Sequence, residues 1–315
     1  NNYSAPVTMP LSLAYLSAAL REKGHQVDNI DALGEALDHM DVSYAPGVRY
    51  RGLSTAKIIE RIERLPRPDA IGVTCMFSQE WPHIEDMIND VSARFPGVPM
   101  IIGGEHATAA AEYVLASCPP VKYVALGEGE ETIADFADFL QGRRTIEEVD
   151  GIWWRDDSGA VIKNRARARV RMPDQLPRPA WDLFNLETYH GVGEGHGVER
   201  GRSMPILATR GCPYQCTFCS NPEMWTTRYV MREPAKVVDE IELYIKDYRA
   251  DNIDFYDLTA IVKKDWTLAF CSEIKKRGLK FTWQLPSGTR SEAMDDESLK
   301  AMADSGCMNV TYAPE

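Results

Sequence analysis

The chain has 315 residues, 44% hydrophobic and 26% charged, with a formal net charge of -12. That length is enough for two domains of a globular protein, and the acidic balance argues against a broad nucleic-acid surface, which needs excess Lys and Arg. No apolar run approaches the roughly 20 residues that span a bilayer. Seven cysteines without a framework spacing point to a reducing, cytoplasmic setting rather than a disulfide scaffold.

The first ~140 residues alternate helix and strand signals, which predicts an α/β domain with a parallel sheet. Residues 11–23 read as a helix stopped by Gly24, a common C-terminal stop. Residues 26–30 read as a strand ending at Asp31, and 70–75 as a buried strand. Ile84, Met87, Ile88, Val91 and Phe95 recur at helical spacing. Residues 99–102 are the next strand, followed by Gly103-Gly104-Glu105-His106-Ala107-Thr108 and a helix to about Ser117. Residues 123–126 form a strand that runs into Gly127-Glu128-Gly129-Glu130-Glu131-Thr132, and Ile133, Phe136 and Leu140 line the helix after it.

Residues 150–200 break this rhythm. Gly151-Ile152-Trp153-Trp154 and Ala160-Val161-Ile162 flank Asp156-Asp157-Ser158-Gly159, a hairpin signal. Pro173, Pro177 and Pro179 mark an extended linker. Gly191-Val192-Gly193-Glu194-Gly195-His196-Gly197 follows no strand and opens no helix, so it reads as a flexible connector and not a phosphate loop.

From Pro205 the alternation returns. Residues 205–209 are a strand, and Val237, Val238, Ile241, Tyr244, Ile245 and Tyr248 form a helix stripe with Pro234 in its first turn, where a missing N–H costs little. Residues 253–257, 281–284 and 308–312 are strands, and 265–277 and 296–304 are helices. This amounts to about four βα steps of a barrel. The chain opens on Asn1-Asn2-Tyr3-Ser4-Ala5-Pro6 and stops at Pro314-Glu315 just after a strand, so a first strand is expected before residue 1 and more barrel after residue 315.

The most informative run is Arg210-Gly211-Cys212-Pro213-Tyr214-Gln215-Cys216-Thr217-Phe218-Cys219-Ser220. Its C-x3-C-x2-C spacing supplies three thiolates on one loop, just after a strand. A structural zinc site wants four ligands, and an ordinary iron–sulfur cluster wants four cysteines. Three leave one iron of a four-iron cluster open to another ligand. Cys75, Cys118, Cys271 and Cys307 stand singly among apolar residues and read as buried small hydrophobes.

Cys212, Cys216 and Cys219, with Phe218 before the third, resemble the cluster loop of the radical S-adenosylmethionine (SAM) superfamily. The resemblance implies a [4Fe-4S] cluster whose open iron binds SAM, and reductive cleavage of SAM to methionine and a 5′-deoxyadenosyl radical. It also implies a SAM site at the strand ends, with Phe218 near the adenine and Tyr256, Asp257, Gln284, Ser287, Arg290 and Glu315 around the ribose and carboxylate. Arg290 suits a carboxylate because its charged fork is bidentate.

Pro10-Leu11-Ser12-Leu13-Ala14-Tyr15-Leu16, Gly24-His25, Ile30-Asp31-Ala32 and the two glycine loops resemble the cobalamin-binding domains attached to radical SAM enzymes. With Leu176-Pro177-Arg178-Pro179-Ala180-Trp181-Asp182, the likeness covers nearly the whole chain. It is to the cobalamin-dependent group that includes the anaerobic magnesium-protoporphyrin monomethyl ester cyclase and many methyltransferases. It implies cobalamin contacts from Thr74, Ser78, Gly103, Gly104, His106, Thr108, Gly127, Glu128, Gly129 and Glu130. In doubly wound sheets ligands bind at such carboxyl-terminal strand ends, where glycines let backbone approach a flat ring. The Asp-x-His-x-x-Gly motif that ligates cobalt is absent, and His25, His83 and His106 read as polar or capping residues.

The expected architecture is therefore α/β: a Rossmann-like doubly wound cobalamin-binding domain over 1–145, a hairpin and Pro/Gly-rich linker over 146–202, and a radical SAM partial TIM barrel over 203–315. The expected reaction is hydrogen abstraction from a small-molecule, lipid or natural-product substrate, then methyl transfer from methylcobalamin. A flavodoxin or ferredoxin would supply single electrons. The nearest alternative is a cobalamin-linked cyclisation or oxidation without net methylation. A methylthiotransferase would carry three further cysteines in the first domain, and that domain has only Cys75 and Cys118. A sensor would hold a cluster without cleaving SAM.

Overall fold

The computed structural model of the chain describes residues 7–42, 49–290, 292 and 294–313. Two sheets organise it, one mixed and one all parallel. The first is five-stranded, in the order β3 (Ile71–Thr74), β4 (Met100–Gly103), β5 (Val121–Ala125), β6 (Ile152–Arg155), β7 (Val161–Lys163). β3, β4 and β5 run parallel, and β6 and β7 run antiparallel beside them. Met100, Ile101 and Ile102 are all buried, the continuous apolar run of a strand covered on both faces. Helices α3 (Trp81–Arg94), α4 (Glu105–Ala109), α5 (Ala111–Ser117) and α6 (Glu130–Leu140) follow their strands. A separate short pair, β1 (Met40–Val42) and β2 (Arg49–Arg51), precedes α2 (Thr55–Glu63).

The second sheet is four-stranded and all parallel, in the order β13 (Cys307–Tyr312), β12 (Thr282–Thr289), β11 (Asn252–Phe255), β8 (Ser203–Ile206). α8 (Pro234–Tyr248), α9 (Lys264–Arg277) and α10 (Asp296–Asp304) connect these strands. Among the described residues the four expected strands are present, with three connecting helices. α9 ends at Gly278 in the left-handed conformation, with Lys275, Lys276 and Arg277 in its last turn, where the helix dipole favours positive charge.

Three expectations are corrected here. Residues 26–30 join no ladder among the described residues. Asp31 just beyond them is instead held by the Tyr189 hydroxyl at 2.6 Å and the Gly34 N–H at 3.0 Å. The expected hairpin is present as β6–β7, but it does not stand with the linker: it pairs with β5 as the antiparallel edge of the first sheet, which extends to Lys163. Nor is the glycine-rich connector loose. The Val198 N–H donates to Gln284 Oε1 at 3.1 Å, and Gln284 Nε2 donates back to the Val198 carbonyl at 2.9 Å.

The linker and helix α1 (Leu11–Glu22) tie the two units together. Leu11, Ala14 and Tyr15 belong to the same buried cluster as Trp181, Ile206, Val238, Ile253 and Trp283 of the barrel side. The Ala180 N–H donates to the Ala14 carbonyl at 3.0 Å. Trp181 is 1% exposed, and its indole N–H donates to Tyr244 Oη at 3.0 Å. Tyr244 in turn donates to Glu240, which is ion-paired with Arg232 at 2.8 Å. A proline-rich segment so anchored is a strap. Trp181→Ala is expected to lower the unfolding free energy by about 3–5 kcal/mol, the usual penalty for emptying a buried indole site. The midpoint of urea unfolding at unchanged slope reads this directly.

Candidate functional site

The cysteine loop rises from a two-stranded ribbon. β9 (Thr209–Arg210) enters it and β10 (Val230–Met231) leaves it, with Arg210 opposite Val230. Gly211 has φ +82, and a Cβ there would strike the Arg228 carbonyl, so the close return of the second stem requires glycine at this position. After the cysteines comes α7 (Asn221–Trp225). The Asn221 amide closes the loop, donating to the Cys212 and Thr226 carbonyls at 3.3 Å each. The Cys219 N–H donates to the Cys216 carbonyl at 3.1 Å.

Asp257 holds the entry from below. It is 2% exposed and accepts from the Ala208 N–H at 3.0 Å and from the Thr209 N–H and hydroxyl. Burial pushes its carboxyl up to about 6, against the lowering effect of those donors. Sequence reading put Asp257 on the SAM ribose; its partners here are the first residue of the strand that launches the cysteine loop and the residue before it. Arg290 lies over the Tyr214 ring, 4.2 Å from its centroid, and also pairs with Glu292 at 3.0 Å. It therefore touches the loop between the first two cysteines.

The other residues expected around SAM divide. Tyr256 is half-buried and edge-on to His196, 5.5 Å away. Ser287 is hydrogen-bonded to His196 Nε2 at 3.2 Å. Gln284 is fully buried, spent on Val198 and on Asp254 at 2.7 Å, so it lies under the connector and not at the mouth. Phe218 is 79% exposed. Glu315 lies outside the described residues.

The glycine loops of the first sheet meet the cysteine loop from the other side. Gly104 has φ +102, and a Cβ on it would strike the Cys75 backbone. Thr108 ties the two loops together. Its hydroxyl donates to the Gly104 carbonyl at 2.9 Å and accepts from the Gly127 N–H at 3.1 Å. His106 is buried, with Nδ1 on the Ser78 hydroxyl at 2.9 Å and its ring 5.2 Å from Trp81. Burial lowers its pKa, and its Nε2 has no hydrogen-bond partner. Ser220, next to Cys219, donates to Glu105, and the position of a Gly127 Cβ lies 3.8 Å from the Met224 carbonyl. Thr74, the last residue of β3, is half-buried, and Met76 and Phe77 after it are exposed.

Glu128 and Glu130 are not open to a ligand. Glu128 takes Arg169 Nε at 2.8 Å and Arg210 Nη1 at 3.2 Å, and Glu130 takes the other Arg210 nitrogen. Both carboxylates are under 8% exposed. They correct the expected cobalamin contacts, because a buried carboxylate is tolerated only when paired. Sequence reading missed Arg210 and Arg169. The one available signal was a charged residue placed between an apolar strand and a cysteine run.

The residues present suit both cofactor types. Three thiols stand on one eight-residue stretch, with Cys219 exposed and the other two half-buried. No three candidate metal ligands converge on a point among the described residues. The donor chemistry is that of a three-cysteine cluster loop. At the ends of β4 and β5, Gly103, Gly104 and Gly127 are half-buried, and exposed Met76 and Phe77 follow the neighbouring β3; glycine backbone and apolar side chains are chemistry that suits a broad, partly apolar ring.

Fold and site together define a two-part α/β protein in which a three-cysteine loop at the end of a parallel-sheet strand faces the glycine loops of a doubly wound sheet. Residues 3–137 match the B12 binding domain and residues 206–315 the Radical SAM superfamily, so the chain joins a B12-binding domain to a radical SAM domain. It is 29% identical to the cytidylyl-2-hydroxyethylphosphonate methyltransferase of Streptomyces wedmorensis, over 98% of this chain and 61% of that one. It is 26% identical to the anaerobic magnesium-protoporphyrin IX monomethyl ester cyclase of Cereibacter sphaeroides, over 97% of this chain and 47% of that one. The methyltransferase TsrM of Kitasatospora setae, solved with cobalamin and a [4Fe-4S] cluster bound, shares the fold with TM-score 0.70 at 19% identity, over 98% of this chain and 56% of that one. The chain spans about half to three-fifths of the length of the curated relatives it matches. No helix among the described residues is long and apolar enough to cross a membrane.

Asp257 has a measurable signature. A folded pKa of about 6 against 3.8 in the unfolded chain corresponds to ~3 kcal/mol. Because the folded value is the higher, this stabilisation is complete below pH 4 and lost as pH rises to 6. Asp257→Asn removes the ionisation. Stability of the native protein relative to this variant is expected to fall across pH 4–6; urea midpoints at pH 4, 5, 6 and 7 would show it, and a flat difference would refute the assignment.

Proposed function

We propose that the chain is the cobalamin- and SAM-binding part of a radical SAM enzyme that methylates an unactivated centre of a small-molecule, lipid or natural-product substrate. The supporting observation is that the three-cysteine loop abuts the glycine loops of the B12-binding domain through Ser220–Glu105 and Arg210–Glu128. Cys212, Cys216 and Cys219 would ligate a [4Fe-4S] cluster, and Gly103, Gly104, Gly127 and Gly129 would face cobalamin. When bound, the cluster and SAM supply a radical for hydrogen abstraction and cobalamin supplies a methyl carrier; the cofactors bring the hard chemistry and the protein orients them.

This chain's own residues prepare that meeting. The Asn221 amide closes the cysteine loop, Asp257 fixes its entry, and Arg290 stacks on Tyr214. Tyr256 and Ser287, near His196, would line the SAM side of the sheet, with Phe218 available to cover the adenine. A one-electron donor such as a flavodoxin or ferredoxin would act at the exposed cysteine loop. A second reading is cyclisation or oxidation without net methylation, favoured by the likeness to the protoporphyrin cyclase over 97% of this chain. Product mass separates the two: a gain of one methylene against a loss of hydrogen or a gain of oxygen.

The test is an anaerobic ultraviolet–visible spectrum after supplying iron, sulfide and hydroxocobalamin. A broad cluster band together with cobalt absorbance that survives desalting is expected. Cys212→Ala, Cys216→Ala and Cys219→Ala should each lose the cluster band and 5′-deoxyadenosine formation while retaining cobalamin. A native protein that holds a cluster but no cobalamin would overturn the methyltransferase reading.

A further inference from the structure

Arg210 is separated from Cys212 by Gly211 alone, whereas Glu128 and Glu130 lie about 80 residues earlier, Glu128 on the loop after β5 and Glu130 at the start of α6. One guanidinium reaches both carboxylates, and the three side chains are only 4–7% exposed. The second oxygen of Glu128 accepts from Arg169 Nε at 2.8 Å and from the Val170 N–H at 2.7 Å. Arg169 then reaches the end of α7 beyond the cysteines, 5.3 Å over the Trp225 ring and 3.4 Å from the Thr226 hydroxyl. Arg210 also lies 5.3 Å over Tyr15 of α1. Two cations and two anions thus form a charge-neutral, largely buried set that ties the entering stem and the end of α7 to the segment after β5.

We propose that Arg210 is a positioning residue: with Glu128, Glu130 and Arg169 it locks the cysteine loop to the glycine loops, so that the two cofactor loops move as one body. A guanidinium fork is directional, so binding two carboxylates two residues apart fixes rotation as well as distance. Lysine would keep the charge and lose the direction. Separating the loops would strand charges in the interior, so intermediate arrangements are disfavoured. The geometry stands alone; its consequence for catalysis rests on the proposed function.

Hydrogen–deuterium exchange on the full chain without cofactors tests the lock. Arg210→Lys and Glu130→Gln are compared with the native chain and with Arg165→Lys, a control at the exposed Arg165–Asp150 pair. The lock predicts that residues 103–110, 126–130 and 211–226 exchange together, at least about fivefold faster in both variants and unchanged in the control, as expected of one cooperative unit. Acceleration confined to 209–214, or absent, would overturn it. If Arg210→Lys unfolds by circular dichroism, Glu130→Gln decides the matter, since it leaves the Glu128 pair intact. The readout needs no cobalamin, so failure of the native chain to retain that cofactor would defeat the functional reading and leave the exchange result standing.

Discussion

An open cysteine loop cannot stabilise itself. It must keep three thiols accessible, so it has little apolar side chain to bury and no fourth ligand to close it. Its shape has to come from what flanks it, and the ion-pair set around Glu128 holds the entering stem through Arg210 and the end of α7 through Arg169. The pairing is electrostatically neutral, which matters in an interior where an unpartnered charge costs several kcal/mol. It is also cross-domain, so the loop's foundation is the neighbouring sheet as much as its own. The Asp257 carboxylate, which gathers the N–H groups of Ala208 and Thr209, performs the same service within the barrel.

Much of the fold was legible because it is periodic. The stripe Val237–Val238–Ile241–Tyr244 and the run Met100–Ile101–Ile102 are set by the geometry of one helix face and of one doubly covered strand, and both are buried as their patterns demand. The cysteine spacing was legible for a different reason, since ligand chemistry is local in sequence. What was illegible is what depends on distant partners. Residues 26–30 have a strand's composition, but a ladder needs a neighbour, and composition does not supply one. The hairpin at Asp156–Gly159 was visible as a hairpin, whereas its docking on Tyr123 and Val124 was not.

The glycine loops show the same division. Four glycines and two glutamates within Gly103–Gly104 and Gly127–Glu130 look alike as a polar, flexible ligand surface. The structure separates them: the glycines sit at turns and close approaches, while the glutamates turn inward to arginines. Nothing in the local sequence distinguishes a glutamate facing a ligand from one facing Arg210, because the distinguishing residue lies on the other domain. Gln284 was misjudged likewise, since its partner Val198 belongs to a connector that composition alone made look loose.

The boundaries that sequence similarity draws are therefore not the boundaries of folding. The B12-binding match begins at residue 3 and so includes α1. Yet Leu11, Ala14 and Tyr15 of that helix complete the core of the barrel half. Cutting the chain between the two matches would expose that apolar face, release Trp181 from Tyr244 and leave Glu128 and Glu130 without Arg210. Each half would then carry an exposed core surface and a charged group parted from its partner across the cut. The arrangement couples the two loops through their foundations, because the stem of the cysteine loop and the turn after β5 share one set of ion pairs.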